Sequence, residues 1–389
     1  MELHRRFIYR ANLYLAIGLA AALSFVLAVE HSDAHKLVTS KYGYNKDIFP
    51  LLRDRCGSCH VAGGPAPMSL VTYADAVPWA ESIRDELTAG RMPPWPVDPT
   101  SPAVKGSSPI SAREIDMIVV WASGGTPQGD DAQLPAVTYN PHWKLGPPDL
   151  KIPMDAEHTM EPGSTDERVE FSIQTNLADT KWVKAADLMP GTASIVRDAV
   201  INIENGPVLA LWEPGDGVVP APSGAAFRLA PGSKIHLQIH YKKHYDQEQN
   251  AVSDRSTIGL YFTDPPPSGR EMQSFSIDSP EAPAGPEGAL VFKRVLGANA
   301  RIVALRPMLD RAYQSLSVDA ITPSGTDVPI LRLQGPRPQW IRRYWLQEPV
   351  ELASGTQITV HVTPLSDYSD EPRLTKKLHL QVALDYVPL

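Results

Sequence analysis

The first 29 residues combine a basic start with a long apolar stretch. Three arginines in the first ten residues precede a run rich in leucine and alanine from Leu13 to Val29. The length of this run lies between that of a signal-peptide core and that of a membrane-spanning helix. We expect residues 1–29 to be a retained transmembrane helix with its arginines in the cytoplasm, the alternative being a cleaved signal. Residues 30–44 then form a polar tether.

Between residues 45 and 135 the apolar positions recur at helical spacing. One helix is predicted from Thr72 to Leu87, with Pro78 as an irregularity in its first half. A second helix is predicted after Ser111, because Ser111 and Glu114 form a capping-box pattern ahead of an apolar helical face. The segment therefore predicts a small all-α domain.

After a Pro/Gly-rich linker the pattern changes to alternating apolar and polar positions. Turns rich in Pro, Gly and Asp separate these runs, and no convincing amphipathic helix lies between them, which indicates antiparallel β-sandwiches. A Pro-rich break at 264–270 predicts two sandwiches in tandem, residues 136–264 and 265–389. The clearest predicted strands are Arg168–Ile173, Lys234–Tyr241, Ile258–Phe262, Leu316–Ile321 and Gln357–Val362.

Charge excludes one class of partner. The formal net charge is −8 over 389 residues, and no basic stripe follows the first ten residues. Binding to nucleic acid requires such a stripe, so we expect no nucleic-acid partner.

The only two cysteines of the chain stand in one motif, Cys56-Gly57-Ser58-Cys59-His60. This is the attachment pattern of haem c, in which two thiols bind the vinyl groups of one porphyrin and the following histidine binds iron. A zinc site would need four ligands, a redox pair would need a thioredoxin-like context, and a disulfide fits this spacing poorly. The motif predicts one covalent haem held by Cys56, Cys59 and His60.

Two methionines are candidates for the second axial iron ligand. Met68 lies close to His60 in sequence, whereas Met92 follows a predicted helix in the segment Arg-Met-Pro-Pro-Trp, where prolines stiffen the chain. We predict Met92 as the ligand. The alternative is that Met92 fills the core, as most methionines do.

Residues 45–135 resemble the monohaem cytochrome c module that precedes copper monooxygenase-like domains in some bacterial proteins. The resemblance rests on CGSCH, GRMPPW and SAREIDMIVVWASGG. Residues 141–389 resemble the twin β-sandwich, jelly-roll-like, of the ascorbate-dependent type 2 copper monooxygenases, the peptidylglycine and dopamine hydroxylating family. The segments that carry this second resemblance are WKLGPPDL, KWVKAADLMPG, EPGDG, FRLAPGSKIHLQIHY and ITPSG.

Most of the copper ligands that this resemblance implies are missing. The His-His position reads Arg197-Asp198, the Pro-His-Met-His position reads Arg306-Pro-Met-Leu, and the C-terminal Met position falls in Leu380–Ala383. Only His240 remains. Arg, Asp and Leu cannot replace imidazole or thioether donors, so bound copper is not expected. Arg197 and Asp198 either pair with each other or are solvated, and His236, His240 and His244 are expected to be ordinary polar histidines.

These observations predict a membrane-anchored c-type cytochrome whose soluble domains lie in the periplasm. It would act as an electron-transfer subunit rather than an enzyme, with the sandwiches used for docking or assembly and an integral membrane electron-transfer complex as its redox partner. One alternative is a haem-fed copper monooxygenase with non-standard ligands. Another is a haem-based sensor with a displaceable sixth ligand.

Overall fold

The computed structural model describes residues 39–94, 97–107, 109–130, 133–266, 270–280, 289–365 and 379–389. Strands dominate, and they follow a segment of short helices, residues 39–130, which we call the helical segment. The transmembrane helix predicted for residues 1–29 lies outside the described residues. Within the described ranges, no helix is both long enough and apolar enough to cross a membrane.

The helical segment packs short helices around one apolar core. Trp121 and Tyr44 are fully buried at its centre, with their ring centroids 5.8 Å apart. A π-helical turn at Tyr44–Ile48 precedes the first helix. The α-helices are α1 (Phe49–Arg55), α2 (Tyr73–Ala76), α3 (Ala80–Thr88) and α4 (Ala112–Ser123).

Both helix predictions are confirmed, including their local chemistry. The helix predicted from Thr72 to Leu87 is interrupted by a 3-10 turn at Val77–Trp79, where Pro78 lacks the N–H needed for a continuous ladder. At the start of α4 the Ser111 hydroxyl accepts a hydrogen bond from the Glu114 backbone at 3.2 Å. The Glu114 carboxylate accepts one from the Ser111 backbone at 2.7 Å.

The first β-sandwich packs two four-stranded antiparallel sheets, β1-β10-β4-β7 and β3-β8-β5-β6, over one apolar core, with a separate β2-β9 pair. Alternation along β8 buries Ile235, Leu237 and Ile239 and leaves His236 and His240 on the outer face. The strands are β1 (Leu150–Pro153), β2 (His158–Met160), β3 (Asp166–Gln174), β4 (Lys181–Met189), β5 (Val196–Ile203), β6 (Val208–Trp212), β7 (Phe227–Leu229), β8 (Lys234–Lys242), β9 (Val252–Asp254) and β10 (Thr257–Thr263).

The second β-sandwich repeats this architecture with sheets β11-β18-β13-β16 and β12-β17-β14-β15 around its own core. Val303, Ala304, Trp345 and Val387 also pack into the core of the first sandwich, so the two sandwiches share an apolar contact. The strands are β11 (Gln273–Asp278), β12 (Leu290–Val295), β13 (Ala300–Met308), β14 (Tyr313–Ile321), β15 (Asp327–Gln334), β16 (Tyr344–Leu352), β17 (Gln357–Pro364) and β18 (Gln381–Pro388). Each of the five strands predicted from alternation falls within one of the observed strands.

The predicted all-α cytochrome c domain is wrong for the described residues, and with it the predicted fold class. Among the described residues the α-helices are short, the longest having 12 residues, and long connections join them. One of these connections, residues 97–105, pairs with the second sandwich. Val97 forms an antiparallel bridge to Leu333 of β15, and Val104 forms one to Leu346 of β16. Since β15 and β16 are edge strands, residues 97–105 cover one open edge of each sheet. The chain is a mainly β protein to which a helical segment is attached.

Candidate functional site

The Cys-Gly-Ser-Cys-His motif forms the turn that ends α1. The Cys56 N–H donates to the Leu52 carbonyl at 2.9 Å, and the His60 N–H donates to the Cys56 carbonyl at 2.8 Å. Gly57 has no room for a side chain, because a Cβ there would lie 2.5 Å from the Arg53 carbonyl oxygen. Helix α1 therefore sets the position of the two thiols and the imidazole.

Neither thiol of this motif is poised for reaction. Both cysteines are free. Burial raises the pKa of the Cys56 thiol to about 12, and burial also raises the pKa of the Cys59 thiol. Because the thiolate is the nucleophile and the metal ligand, burial disfavours the reactive form of both side chains.

A turn of the first sandwich, Glu213–Gly217, is built against Cys59. The Cys59 Sγ donates to the Pro214 carbonyl at 3.3 Å. Gly215 has a φ of +80°, and a Cβ there would lie 2.7 Å from the Cys59 Sγ. The Glu213 carboxylate accepts from the Ile341 N–H at 2.5 Å, and Asp216 pairs with Arg342 at 3.2 Å. This 213–217 turn therefore joins the cysteine motif to the segment that leads into β16.

His60 and the two candidate methionines occupy different positions. The His60 Nδ1 lies 3.3 Å from the Met68 carbonyl oxygen, so a proton on Nδ1 leaves Nε2 as the acceptor. Burial lowers the pKa of His60. Met92 follows α3, where its N–H donates to the Glu86 carbonyl at 3.3 Å. The structure brings Cys56, Cys59 and His60 onto one turn, and the pairing of Met92 with them stays a prediction.

The observed fold contradicts the prediction of haem c. Covalent haem at this motif was expected inside an all-α cytochrome domain, and the described residues do not build one. The Cys59 thiol instead packs against Pro214 and Gly215. Within the described ranges, no group of three or more His, Cys, Asp or Glu side chains is arranged to hold a metal ion. We therefore assign no haem to the Cys56–His60 turn.

His240 lies between two carboxylates on the outer face of the β3-β8-β5-β6 sheet. Its Nδ1 is 2.7 Å from Asp198, and its Nε2 is 2.9 Å from Asp166. Arg168 contributes a further ion pair to Asp198 at 3.0 Å. Because the two carboxylates lie on opposite ring nitrogens, they do not converge with the imidazole on one point. His240 therefore belongs to a hydrogen-bonded network with Asp166, Asp198 and Arg168.

Arg197 and Asp198 do not pair with each other, although they are adjacent. Asp198 pairs with Arg168 and His240, whereas the Arg197 Nη1 donates to the Pro65 carbonyl at 2.6 Å. Burial lowers the pKa of Arg197 to about 10. The guanidinium thus joins the first sandwich to the helical segment.

In the second sandwich, Arg306 belongs to a buried group of three charged side chains, with Arg343 and Asp385. Asp385 has a fully buried side chain that pairs with Arg306 at 2.9 Å and with Arg343 at 2.8 Å. Although burial alone would raise it, the two guanidinium charges hold the pKa of Asp385 below its ordinary value. Arg343 also donates to the carbonyls of Val208 and Leu209 at 2.6 Å each, so the triad connects the two sandwiches.

A cavity of about 540 Å³ lies between the helical segment and the first sandwich. The loop 61–69, directly after the cysteine motif, forms one wall. Turns at 190–194 and 244–247 form the opposite wall, with Tyr139 and Pro141 at the side. We call this space the loop cavity. Sequence reasoning missed it, and it also missed the roles of Asp385 and Arg343. These contacts join residues far apart in the chain, and no local pattern signals them.

The comparisons with known proteins leave the family open. No family profile matches the chain, and no curated protein matches it. Among solved structures it is similar to the major capsid protein P2 from bacteriophage PM2, with 10% identity, a TM-score of 0.29 and coverage of 61% of this chain and 96% of that one. It is also similar to the STIV MCP, with 8% identity, a TM-score of 0.29 and the same two coverages. At these scores neither likeness bears on the fold or function of this chain.

Proposed function

We propose that this chain is a non-catalytic scaffold subunit of an electron-transfer assembly at the outer face of the cytoplasmic membrane. Its two sandwiches contact the Cys56–His60 turn through the 213–217 turn and dock to an integral membrane partner. The location and the partner class rest on the first 29 residues and on the resemblance of residues 141–389 to the copper monooxygenases.

The contacts of the two ring nitrogens of His240 carry this proposal. His240 is the one retained member of the ligand positions in that resemblance, and both of its ring nitrogens contact carboxylates. A metal-binding imidazole needs one nitrogen lone pair aimed at a metal ion that other donor side chains also bind. Here Asp166 and Asp198 occupy both sides of the ring, which supports a structural role.

The second sandwich supports the same conclusion. Arg306 stands where the resemblance would place an imidazole-rich segment, and its guanidinium pairs with Asp385 inside the protein. A buried cation at this place repels a metal ion. Ion pairs therefore occupy both regions where the resemblance implies copper ligands. Such pairs favour a defined arrangement of the sheets rather than metal chemistry.

The 213–217 turn gives the scaffold its connection to the cysteine motif. It contacts Cys59 on one side and the segment 341–342 on the other. A partner that binds near His60 would therefore meet a surface held by three parts of the chain.

The test is metal analysis and oxygen uptake on the full chain purified from its native membrane. We expect less than stoichiometric copper and no ascorbate-dependent oxygen consumption. Deleting the chain from cells should lower the amount of assembled partner complex, and a His240→Gln chain should restore it. Copper at one per chain that is lost in His240→Gln together with oxygen uptake would overturn the proposal. Unchanged assembly of every membrane electron-transfer complex after deletion would do the same.

A further inference from the structure

The 213–217 turn is closed by its own hydrogen bonds. It follows directly on the end of β6 at Trp212. The Asp216 N–H donates to the Glu213 carbonyl at 3.2 Å, and the Gly217 N–H donates to the Asp216 carboxylate at 2.9 Å. Gly215 stands between these residues with a φ of +80°, a conformation that favours glycine. The turn is therefore a compact unit at the end of a strand.

One side of the 213–217 turn covers the Cys59 thiol. The Pro214 carbonyl accepts from the Cys59 Sγ at 3.3 Å, and a Cβ on Gly215 would lie 2.7 Å from the same sulfur. Cys56 has a different environment, because it packs against the apolar core of the helical segment. The two thiols of one motif are thus covered by different parts of the chain.

The other side of the 213–217 turn is held by the segment that leads into β16 of the second sandwich. The Glu213 carboxylate accepts from the Ile341 N–H at 2.5 Å, and Asp216 pairs with Arg342 at 3.2 Å. The next residue, Arg343, donates to two carbonyls of β6. Three consecutive residues of this segment therefore hold both β6 and the turn that follows it.

The contact of the 213–217 turn with the second sandwich is polar. A cavity of about 40 Å³ lies behind the turn, with Glu213, Asp216 and Arg342 among its lining residues. A space of this size exceeds the roughly 10–15 Å³ that one water molecule needs. Burial raises the pKa of Asp216, and the nearby charge of Arg342 opposes this shift. The carboxylate depends on its partner, because a buried charge without one is costly.

We propose that the 213–217 turn is a lid over the Cys59 thiol and that the second sandwich holds this lid closed. Coupling between two sites is reciprocal. A partner that draws Arg342 away from Asp216 therefore exposes Cys59, and a group attached to the Cys59 sulfur weakens the contact between Glu213 and Ile341. This inference does not depend on the scaffold role proposed above.

The first test treats the folded full chain with iodoacetamide and follows each cysteine by mass spectrometry after digestion. In this reaction a sulfur–carbon bond forms, iodide leaves and the thiol proton passes to the buffer. Asp216→Asn removes the negative partner of Arg342. We expect Cys59 to react at least about tenfold faster in this variant, because opening of the turn becomes less costly. The rate at Cys56 should stay unchanged, since another part of the chain covers it.

The matched control for this test is Asp319→Asn. It also removes an acid that pairs with an arginine of the second sandwich, Arg332 at 3.4 Å, but Asp319 lies on β14 and makes no part of the 213–217 turn. The reaction rate at Cys59 should be the same in this variant as in the unchanged protein.

A second test runs in the opposite direction and leaves the Asp216–Arg342 pair intact. In a Cys56→Ala chain, alkylation of Cys59 should speed hydrogen exchange of the Ile341 N–H at least about tenfold, because this N–H donates to the turn. The control is a Cys59→Ala chain alkylated at Cys56, in which exchange at Ile341 should be unchanged. This measurement decides the question even if Asp216→Asn does not fold.

Three outcomes would overturn the proposal. One is an equal reaction rate of Cys59 in folded Asp216→Asn, in Asp319→Asn and in the unchanged protein. Another is a parallel increase at Cys56 and Cys59 in folded Asp216→Asn, which would mean that the whole motif opens rather than the turn. The third is hydrogen exchange at Ile341 that alkylation of Cys59 leaves unchanged.

Discussion

The Cα of Gly215 lies so close to the Cys59 thiol that a methyl group at position 215 would stand 2.7 Å from the sulfur and 2.9 Å from the Ser58 hydroxyl. Gly215 also has a φ of +80°, a conformation that residues with a Cβ rarely adopt. This close approach is one of the contacts through which the first sandwich meets the cysteine motif.

Gly215→Ala should therefore destabilise the protein. Overpacking costs about 1–3 kcal/mol, and the left-handed backbone adds more than about 0.4–1 kcal/mol for a residue with a Cβ. The free energy of unfolding in urea measures this loss. Gly217→Ala is the matched control, because a Cβ at 217 would meet nothing within 4 Å. If both substitutions cost the same, the contact with Cys59 is not the cause. The double variant with Cys59→Ala should recover part of the loss.

Asp385→Asn should be among the most damaging single substitutions in the second sandwich. It removes the only negative charge of the buried triad and leaves Arg306 and Arg343 facing each other without compensation. Breaking such a buried group costs about 3–5 kcal/mol. The control is Asp319→Asn, whose partner Arg332 is 40% exposed, and for which a loss of about 0–1 kcal/mol is expected. Thermal or urea unfolding distinguishes the two, and similar losses would contradict a buried role for the triad.

Stability should fall as the pH drops below neutrality. Burial lowers the pKa of His244, and the charge of Arg197 acts in the same direction. The hydrogen bond to the Pro65 carbonyl and the charge of Asp246 oppose this shift without cancelling it. An unfolded histidine titrates near about 6.5, so the unfolded chain takes up the proton first. Stability is therefore full above that pH and is lost as the pH falls toward the lower pKa of the folded state. His60, whose pKa burial also lowers, contributes with the same sign.

The measurement is the free energy of unfolding in urea at about pH 7.5 and about pH 5.5. His244→Gln, which can keep a donor toward Pro65, should show a smaller loss between the two conditions than the unchanged protein. His142→Gln is the control, because His142 is exposed and its ring is hydrogen-bonded to the nearby Asn140 carbonyl. An equal loss in the unchanged protein and in His244→Gln would remove His244 from the explanation.

Ser111→Ala should weaken the helical segment. The Ser111 hydroxyl accepts from the Glu114 N–H at the start of α4, and this helix carries the buried Trp121. Loss of an N-cap side chain costs about 0.5–2 kcal/mol, whereas replacement by Thr or Asp should cost far less. Unfolding followed by tryptophan fluorescence tests the pair of substitutions. A loss in Ser111→Asp as large as in Ser111→Ala would argue against capping.

The sequence was informative wherever structure depends on neighbours in the chain. The sequence predicts the break at Pro78 and the cap at Ser111, because both arise from contacts within four residues. The alternation along Lys234–Tyr241 likewise marked a half-buried strand. These local features account for the interrupted helix that follows Thr72, for the helix that follows Ser111 and for the clearest strands.

The errors arose where distant residues decide the outcome. The helical pattern of residues 45–135 suggested an independent domain, but Val97 and Val104 pair with Leu333 and Leu346. Nothing near Val97 in the sequence signals that pairing. In the same way the spacing of Cys56 and Cys59 identified a motif, but it gave no sign that Gly215 would pack against Cys59.

Residues 97–105 close the open edges of β15 and β16, and this has a consequence for biogenesis. The chain is synthesised from its amino end, so these residues must wait for Leu333 and Leu346 before their bridges can form. Such long sequence separations slow folding and prolong exposure of unpaired strands. The cysteine motif is therefore synthesised before the 213–217 turn that later packs against it. Reagents, chaperones or maturation enzymes would have their freest access to Cys59 in that interval, before Gly215 arrives.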